Sequence, residues 1–337
     1  MNLKEILKYI FTVRNIDYDK IVVVFGKKII IKNGSKPRNE ARIATLMNLL
    51  NECGDIRKCK PATGTLRDLQ LVRLKALKML KQIFEENDIK YWLDGGTCLG
   101  AYRHKGFIPW DDDIDIVVPE EDYKRAIEIV NKKLENSDLK IVVGGKKIRK
   151  GLNSTVTRLL DTKTNFIYLD IFPYAYSNNN SLTKQELIEK LQIIKEEFFT
   201  PVFTRDLQLN KKNIEDFMPQ INEKYKEHGV VLPNNEKNCY MFRGVESMSH
   251  QKKQTIHNIE DIFPLQKVPF EDDYFYAPNN IEQFLKNVCE GSYGDLMSFP
   301  PVDALLCHSY DQFKDINEMQ QIVKIQDEKI DKFLTKV

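Results

Sequence analysis

Leu69, Val72, Ala76, Met79, Leu80 and Ile83 recur three and four positions apart, the spacing of one helix face. They predict a long helix over 65–87, with Thr65 and Asp68 placed to form its N-terminal cap. Ahead of it, Leu3, Ile6, Leu7 and Ile10 predict a short helix, and Leu46, Leu49 and Leu50 another. Between these, the β-rich runs 20–25 and 28–32 around Gly26 read as a hairpin. Beyond residue 87 the pattern shortens. Strands are predicted over 90–93, 113–118, 140–143, 156–160 and 167–172, with a short helix after 97 and a longer one over 120–134. The chain turns helical from 183 to 199 and is polar and less periodic over 203–238. Ile316, Met319, Val323, Ile330 and Leu334 predict an amphipathic helix over 315–334.

Helices alternating with strands predict an α/β or α+β domain around a small mixed sheet. Composition narrows the class. The chain has 337 residues, 42% of them hydrophobic, enough for a sizeable core, and 30% charged. A formal net charge of +2 gives no support for a nucleic-acid binder, which would carry a marked basic excess. The first fifteen residues lack the apolar run of a signal peptide, and stretches such as 21–25 are too short to span a bilayer. Six cysteines without a CxxC pair fit reduced thiols. A cytoplasmic protein is expected. Its first helix, with Lys4, Lys8 and Arg14, docks on the body of the chain or rests peripherally on a membrane surface.

The chemistry concentrates in residues 91–116. Asp111, Asp112, Asp113 and Asp115 stand at the mouth of a predicted strand, shortly after Gly95, Gly96 and Thr97. Strand alternation sends Asp113 and Asp115 to one face. An isolated run of aspartates is usually solvated loop. Here the charge continues into the apolar strand Ile114, Ile116, Val117, Val118, where two buried carboxylates call for a cation. Glycines let backbone N–H groups approach a phosphate closely.

This segment resembles the LicD family of phosphotransferases, related to the fukutin group. The likeness rests on Asp94–Thr97, Leu99–Gly100, Arg103–Gly106 and Ile108–Ile116, then on 169–173, on Tyr293, Gly294 and Asp295, and on 299–301. It runs from about Pro61 to His308. It implies a nucleotidyltransferase fold of the DNA polymerase beta type over 61–310: a core at 61–177, a helical insertion at about 181–260 and returning motifs over 262–308. Residues 1–60 are then accessory and 311–337 a C-terminal helix. In such a fold a third carboxylate arrives from a neighbouring strand. Asp170, the single charge in an apolar stretch, fills that place and is the candidate general base; capping a turn before Pro173 is its plainer role.

Asp113, Asp115 and Asp170, hard oxygen donors, select Mg²⁺ or Mn²⁺. Asp111 and Asp112 either orient these ligands or stand exposed. Gly95, Gly96, Thr97, Arg103, His104, Lys105 and Arg158 are the candidate phosphate contacts, His104 and Lys105 equally readable as solvated loop. Trp110 either stacks on the substrate or anchors the core. Tyr293 and Asp295 form the rim or simply a turn, and no catalytic role is assigned to His308. The resemblance implies transfer of a phospho-alcohol, with phosphocholine from CDP-choline the best-known case, to a sugar hydroxyl of a glycan or glycolipid, releasing CMP. Tyr91, Trp92, Tyr102, Tyr174 and Tyr176 are candidates for an aromatic cage around choline. Ribitol or glycerol phosphate would use similar machinery, and a nucleotidyltransferase the same carboxylates.

Overall fold

The computed structural model describes residues 13–16, 19–24, 28–31, 55–143, 147–149, 152–153, 156–199, 218–233, 237–244, 255–289, 296–297, 313 and 315–334. The elements follow in chain order. A three-stranded antiparallel sheet comes first: β1 (Val13–Ile16), β2 (Asp19–Val24) and β3 (Lys28–Ile31). Then come α1 (Gly64–Glu86), β4 (Trp92–Leu93), α2 (Gly95–His104), β5 (Asp115–Pro119), α3 (Glu120–Lys133) and β6 (Leu139–Val142). The short pair β7 (Lys147–Arg149) and β8 (Leu152–Asn153) leads to β9 (Thr157–Asp161), β10 (Ile167–Ser177), α4 (Lys184–Ile194) and α5 (Met218–Glu227). The last elements are β11 (Tyr240–Arg243), β12 (Ile256–Asn258), the single turn α6 (Ile259–Ile262), β13 (Gln266–Phe270), β14 (Asp273–Ala277), α7 (Ile281–Cys289) and α8 (Ile316–Leu334).

The central sheet is mixed, as the alternating pattern predicts. Its strands run β12-β11-β10-β5-β4, and β9 joins β10 and carries β6. β10 is the spine. It pairs parallel with β5 through 170–174, antiparallel with β9 through 167–171 and antiparallel with β11 through 174–177. Eleven residues long, it outruns the predicted 167–172 because Tyr174, Ala175 and Ser177 stay buried against β11. This is an α+β architecture consistent with a nucleotidyltransferase-like fold.

α1 buries Leu66, Leu69, Val72, Leu77, Leu80 and Phe84 in the core. Thr63 rather than Thr65 is its N-cap, with no side-chain cap bond. Thr65 lies inside the first turn, and its hydroxyl accepts from Gln320 of α8 at 3.0 Å, so the predicted cap is spent on a tertiary contact. α8 lies along α1, as its apolar stripe requires. Its buried Gln326 accepts from the Tyr168 hydroxyl at 2.6 Å and donates to Thr164 at 3.0 Å, which fastens the last helix to β10. Among the described residues no helix is long and apolar enough to cross a membrane. The helices expected around 3–10 and 46–50 lie outside the described residues.

At the β12 end of the sheet, His257 stacks between the rings of Tyr174 (centroids 5.8 Å apart) and Phe284 (4.4 Å). Burial, then the Lys184 and Arg243 charges, push its pKa from 6.5 down to about 3. The unfolded chain therefore takes up a proton below about pH 6.5 that the folded chain refuses. Stability is complete above that pH and declines as pH falls toward 3. His257→Phe keeps the stack and removes the titrating group. The stability of the wild type relative to this variant should fall steadily between about pH 7 and pH 4 in urea unfolding; a constant difference would contradict the burial of a neutral imidazole.

Candidate active site

Asp115 opens β5, and Asp170 faces it across the parallel pairing with β10, the two Cα atoms in register. The strand begins at 115 rather than 113, so Asp113 lies in the approaching loop and alternation does not fix its direction. Its neighbours place it among the carboxylates instead. Asp111, Asp112 and Asp113 present carboxylate oxygens within 4.8 Å of one another. Burial raises Asp111 well above the usual carboxylate range, and Asp113 and Asp112 add to the shift. Burial raises Asp115 likewise, with Asp113 and then Asp170 adding to it. Asp113 thus links the loop carboxylates to the strand pair. Asp112 is fully buried, which removes it from solvent. Crowded oxygen donors of this kind suit a hard divalent cation, which would relieve their repulsion.

The glycines explain how carboxylates reach this density. Gly95 and Gly96 form the first turn of α2 rather than a separate turn before it. Gly95 has φ +48, and a Cβ there would lie 3.1 Å from the Asp115 Oδ2; a Cβ on Gly96 would lie 2.6 Å from the Asp111 Oδ2. The missing side chains make room for two carboxylates at a helix N-terminus, where the helix dipole favours negative charge. Thr97 accepts from the Asp115 N–H at 2.9 Å, and the Asp94 N–H donates to the Asp115 carbonyl at 3.0 Å. The start of α2 is therefore strapped to β5 through both the N–H and the carbonyl of Asp115.

Asp94, the N-cap of α2, spends its fully buried carboxylate elsewhere. It pairs with Arg243 of β11 and accepts from the Tyr174 hydroxyl at 3.4 Å. The Arg243 guanidinium lies 3.8 Å from the Phe172 ring centroid. Burial alone would lower the Arg243 pKa; Asp94, with Tyr174 and Asp115, outweighs it, and the net shift is upward. Arg243 is not a candidate from the sequence, because β11 arrives 149 residues after Asp94.

The remaining predicted contacts divide. Arg158 is not free over a phosphate but bonds Asp170, Nε to Oδ1 at 2.9 Å, as its antiparallel register partner. Arg103 is buried and donates to the Leu296 carbonyl, tying α2 to the residue after Asp295. His104 sits beside Trp110, ring centroids 6.3 Å apart, with both nitrogens buried and unbonded. Burial, then the Arg103 charge, lowers its pKa to about 4, so it is neutral rather than a solvated cation. Lys105 is exposed and caps α2 at φ 55. Trp110 is a core anchor, 5% exposed. Of the cage candidates, Tyr91, Trp92 and Tyr174 are buried in the core; Tyr102 and Tyr176 are partly buried. Tyr293, Asp295 and His308 lie outside the described residues.

Residues that sequence reasoning passed over hold the loop in place. Gln70 of α1, fully buried, donates to the Asp111 carbonyl at 2.8 Å. Its signal was present: Gln70 and Arg73 are polar residues on an otherwise apolar helix face, both buried.

The profile of the LicD/FKTN/FKRP nucleotidyltransferase domain matches residues 88–213, which include every carboxylate of this site. Lipopolysaccharide cholinephosphotransferase LicD of Haemophilus influenzae is 49% identical over 65 residues, 19% of this chain and 24% of that protein. Human ribitol 5-phosphate transferase FKRP is 28% identical over 124 residues, 36% of this chain and 24% of that protein. Mouse ribitol-5-phosphate transferase FKTN is 35% identical over 63 residues, 18% of this chain and 14% of that protein. The chain thus spans about a quarter or less of the length of these relatives.

Arg243→Met leaves the Asp94 carboxylate buried without its cation and should cost about 3–5 kcal/mol in chemical denaturation. The neutral pair Asp94→Asn/Arg243→Met should recover most of that loss. A double variant as unstable as the single would contradict the ion pair as the reason for the cost.

Proposed function

We propose that this chain, which carries a nucleotidyltransferase domain of the LicD/FKTN/FKRP family, transfers a phospho-alcohol group from a CDP-linked donor to a sugar hydroxyl of a cell-surface glycan or glycolipid precursor. Phosphocholine from CDP-choline is the first reading, drawn from the cholinephosphotransferase relative. The observation that carries it is the convergence of Asp111, Asp113, Asp115 and Asp170 beside the N-terminus of α2.

Asp113, Asp115 and Asp170 would hold Mg²⁺ or Mn²⁺, with Asp111 and Asp112 balancing charge around them. When bound, the cation would supply charge neutralisation at the diphosphate and acidify the attacking hydroxyl. The sugar oxygen bonds to the phosphorus that bears the alcohol, the bond to the CMP oxygen breaks, and CMP leaves with the electron pair. Asp170 is the candidate acceptor for the hydroxyl proton, oriented by Arg158. Of the candidate phosphate contacts, exposed Lys105 at the end of α2 is the one left to meet the donor phosphates, since Arg103 and the His104 nitrogens are buried and carboxylates crowd Gly95 and Gly96. Positioning and electrostatics supply most of the rate. The protein works in the cytoplasm, peripheral to the inner membrane face when the acceptor is lipid-linked.

A second donor has its own support. Tyr91, Trp92 and Tyr174 are buried against Phe84, Phe263 and one another, which withdraws them from a trimethylammonium group. Ribitol phosphate needs no aromatic cage, and the ribitol-phosphate transferase relative covers more of this chain.

Incubation with CDP-choline, CDP-ribitol, CDP-glycerol or CTP, Mg²⁺ and a glycan acceptor separates these readings. CMP release from one CDP-alcohol is expected. Asp113→Asn and Asp115→Asn should each lower turnover by at least about 10²- to 10³-fold with the fold intact. Pyrophosphate release from CTP would make the protein a nucleotidyltransferase, and near-native turnover in either variant would remove the carboxylates from the mechanism.

A further inference from the structure

The loop that delivers Asp111, Asp112 and Asp113 is gripped by a hairpin 160 residues further along the chain. Glu271 forms the tip between β13 and β14 and adopts φ 58, a left-handed conformation that non-glycine side chains rarely take. Lys105, which it meets, has φ 55. The Glu271 N–H donates to the Lys105 carbonyl at 2.7 Å, and its Oε1 accepts from the Phe107 N–H at 3.0 Å. Arg67 of α1 grips the same carboxylate with two bonds, 3.0 Å to Oε1 and 2.6 Å to Oε2. Arg67 also donates to Gln70 at 3.2 Å, and Gln70 holds the Asp111 carbonyl. A continuous chain of hydrogen bonds thus runs from the hairpin tip through α1 to the first aspartate of the site.

The fit at Gly106 is close. A Cβ there would lie 2.5 Å from the Glu271 Oε1 and 2.9 Å from its Cδ, and Arg67 keeps that carboxylate from retreating. Gly106 is therefore glycine to admit Glu271, a reason independent of any substrate.

We propose that Glu271 is a positioning residue for the carboxylate site. It fixes the loop through Lys105, Gly106 and Phe107 and, with Arg67 and Gln70, sets where Asp111–Asp113 stand. The inference rests on the reading that these aspartates hold a divalent cation. The contact joins a hairpin tip at positive φ, the left-handed C-cap of α2 and a partly buried charge-assisted network, whereas the hairpin already has simpler attachments to α1. Lys78 binds Asp272 and Lys81 binds Asp273, each at 2.7 Å.

Those attachments provide the control. Amide hydrogen exchange of 106–113 and Mn²⁺ binding followed by electron paramagnetic resonance would be compared in the wild type, Glu271→Ala, Glu271→Gln, Lys81→Ala, Gly106→Ala, Gly106→Ala/Glu271→Ala and Asp113→Asn. Glu271→Ala should exchange faster over 106–113 and bind Mn²⁺ about 10- to 100-fold more weakly, the usual loss when a partner of a metal ligand is removed. Glu271→Gln, which keeps an acceptor for Phe107, should recover part of both. Lys81→Ala should match the wild type. Gly106→Ala should resemble Glu271→Ala alone yet add little to it, because the clash disappears with the carboxylate. Wild-type exchange and Mn²⁺ affinity in Glu271→Ala would overturn the proposal, as would an equal loss in Lys81→Ala. A wild type that takes up no more Mn²⁺ than Asp113→Asn, with exchange still faster in Glu271→Ala, would overturn the cation reading and leave Glu271 as the clamp of the loop.

Discussion

Mutual repulsion among crowded carboxylates is the constraint around which the site is built. Asp111, Asp113, Asp115 and Asp170 lie close enough for burial and one another to raise two of them well above the carboxylate range. Left alone, such a cluster would disperse or neutralise itself with protons. The fold offsets it in several ways. The N-terminus of α2 is brought against two of the carboxylates by side-chain-free glycines, Arg158 holds Asp170, and Arg243 neutralises the adjoining Asp94. In the proposed function a divalent cation would be the remaining counterweight.

The frame around the carboxylates is assembled from distant parts of the chain. β10 aligns Asp170 with Asp115 on one edge and receives β11, with Arg243, further along. The β13–β14 hairpin and α1 grip the loop before Asp111. Each attachment is a charge-assisted or buried hydrogen bond, the kind whose loss leaves a partner unsatisfied. Attachments of this kind hold side chains in place before a substrate arrives, the preorganisation that electrostatic catalysis requires.

Much of this was legible in the sequence, and the boundary has physical causes. Asp115 and Asp170 were readable because each interrupts an apolar strand, and α1 and α8 because their stripes are long. The glycines at 95 and 96 announced a close approach, but periodicity does not say to what, and here carboxylates occupy the space expected for phosphate. Arg158 read as a phosphate contact because its cross-strand partner is set by sheet register, which only the pairing of β9 with β10 fixes. Arg243 and Glu271 were out of reach for the same reason: their partners lie 149 and 164 residues away. The one overlooked local signal was polar Gln70 on a core-facing stripe.

The central claim is that these carboxylates form a cation-dependent site for a CDP-linked alcohol. Thermal unfolding of the wild type and Asp113→Asn with CDP-choline, CDP-ribitol, CDP-glycerol, ATP or UDP-glucose, with and without Mg²⁺, tests it most directly, because only ligands bound by the folded state raise its stability. The account predicts that one CDP-alcohol raises the melting temperature above all other ligands, only with Mg²⁺, and not in Asp113→Asn. Stabilisation that ignores Mg²⁺, or that comes from ATP or UDP-glucose alone, would contradict it.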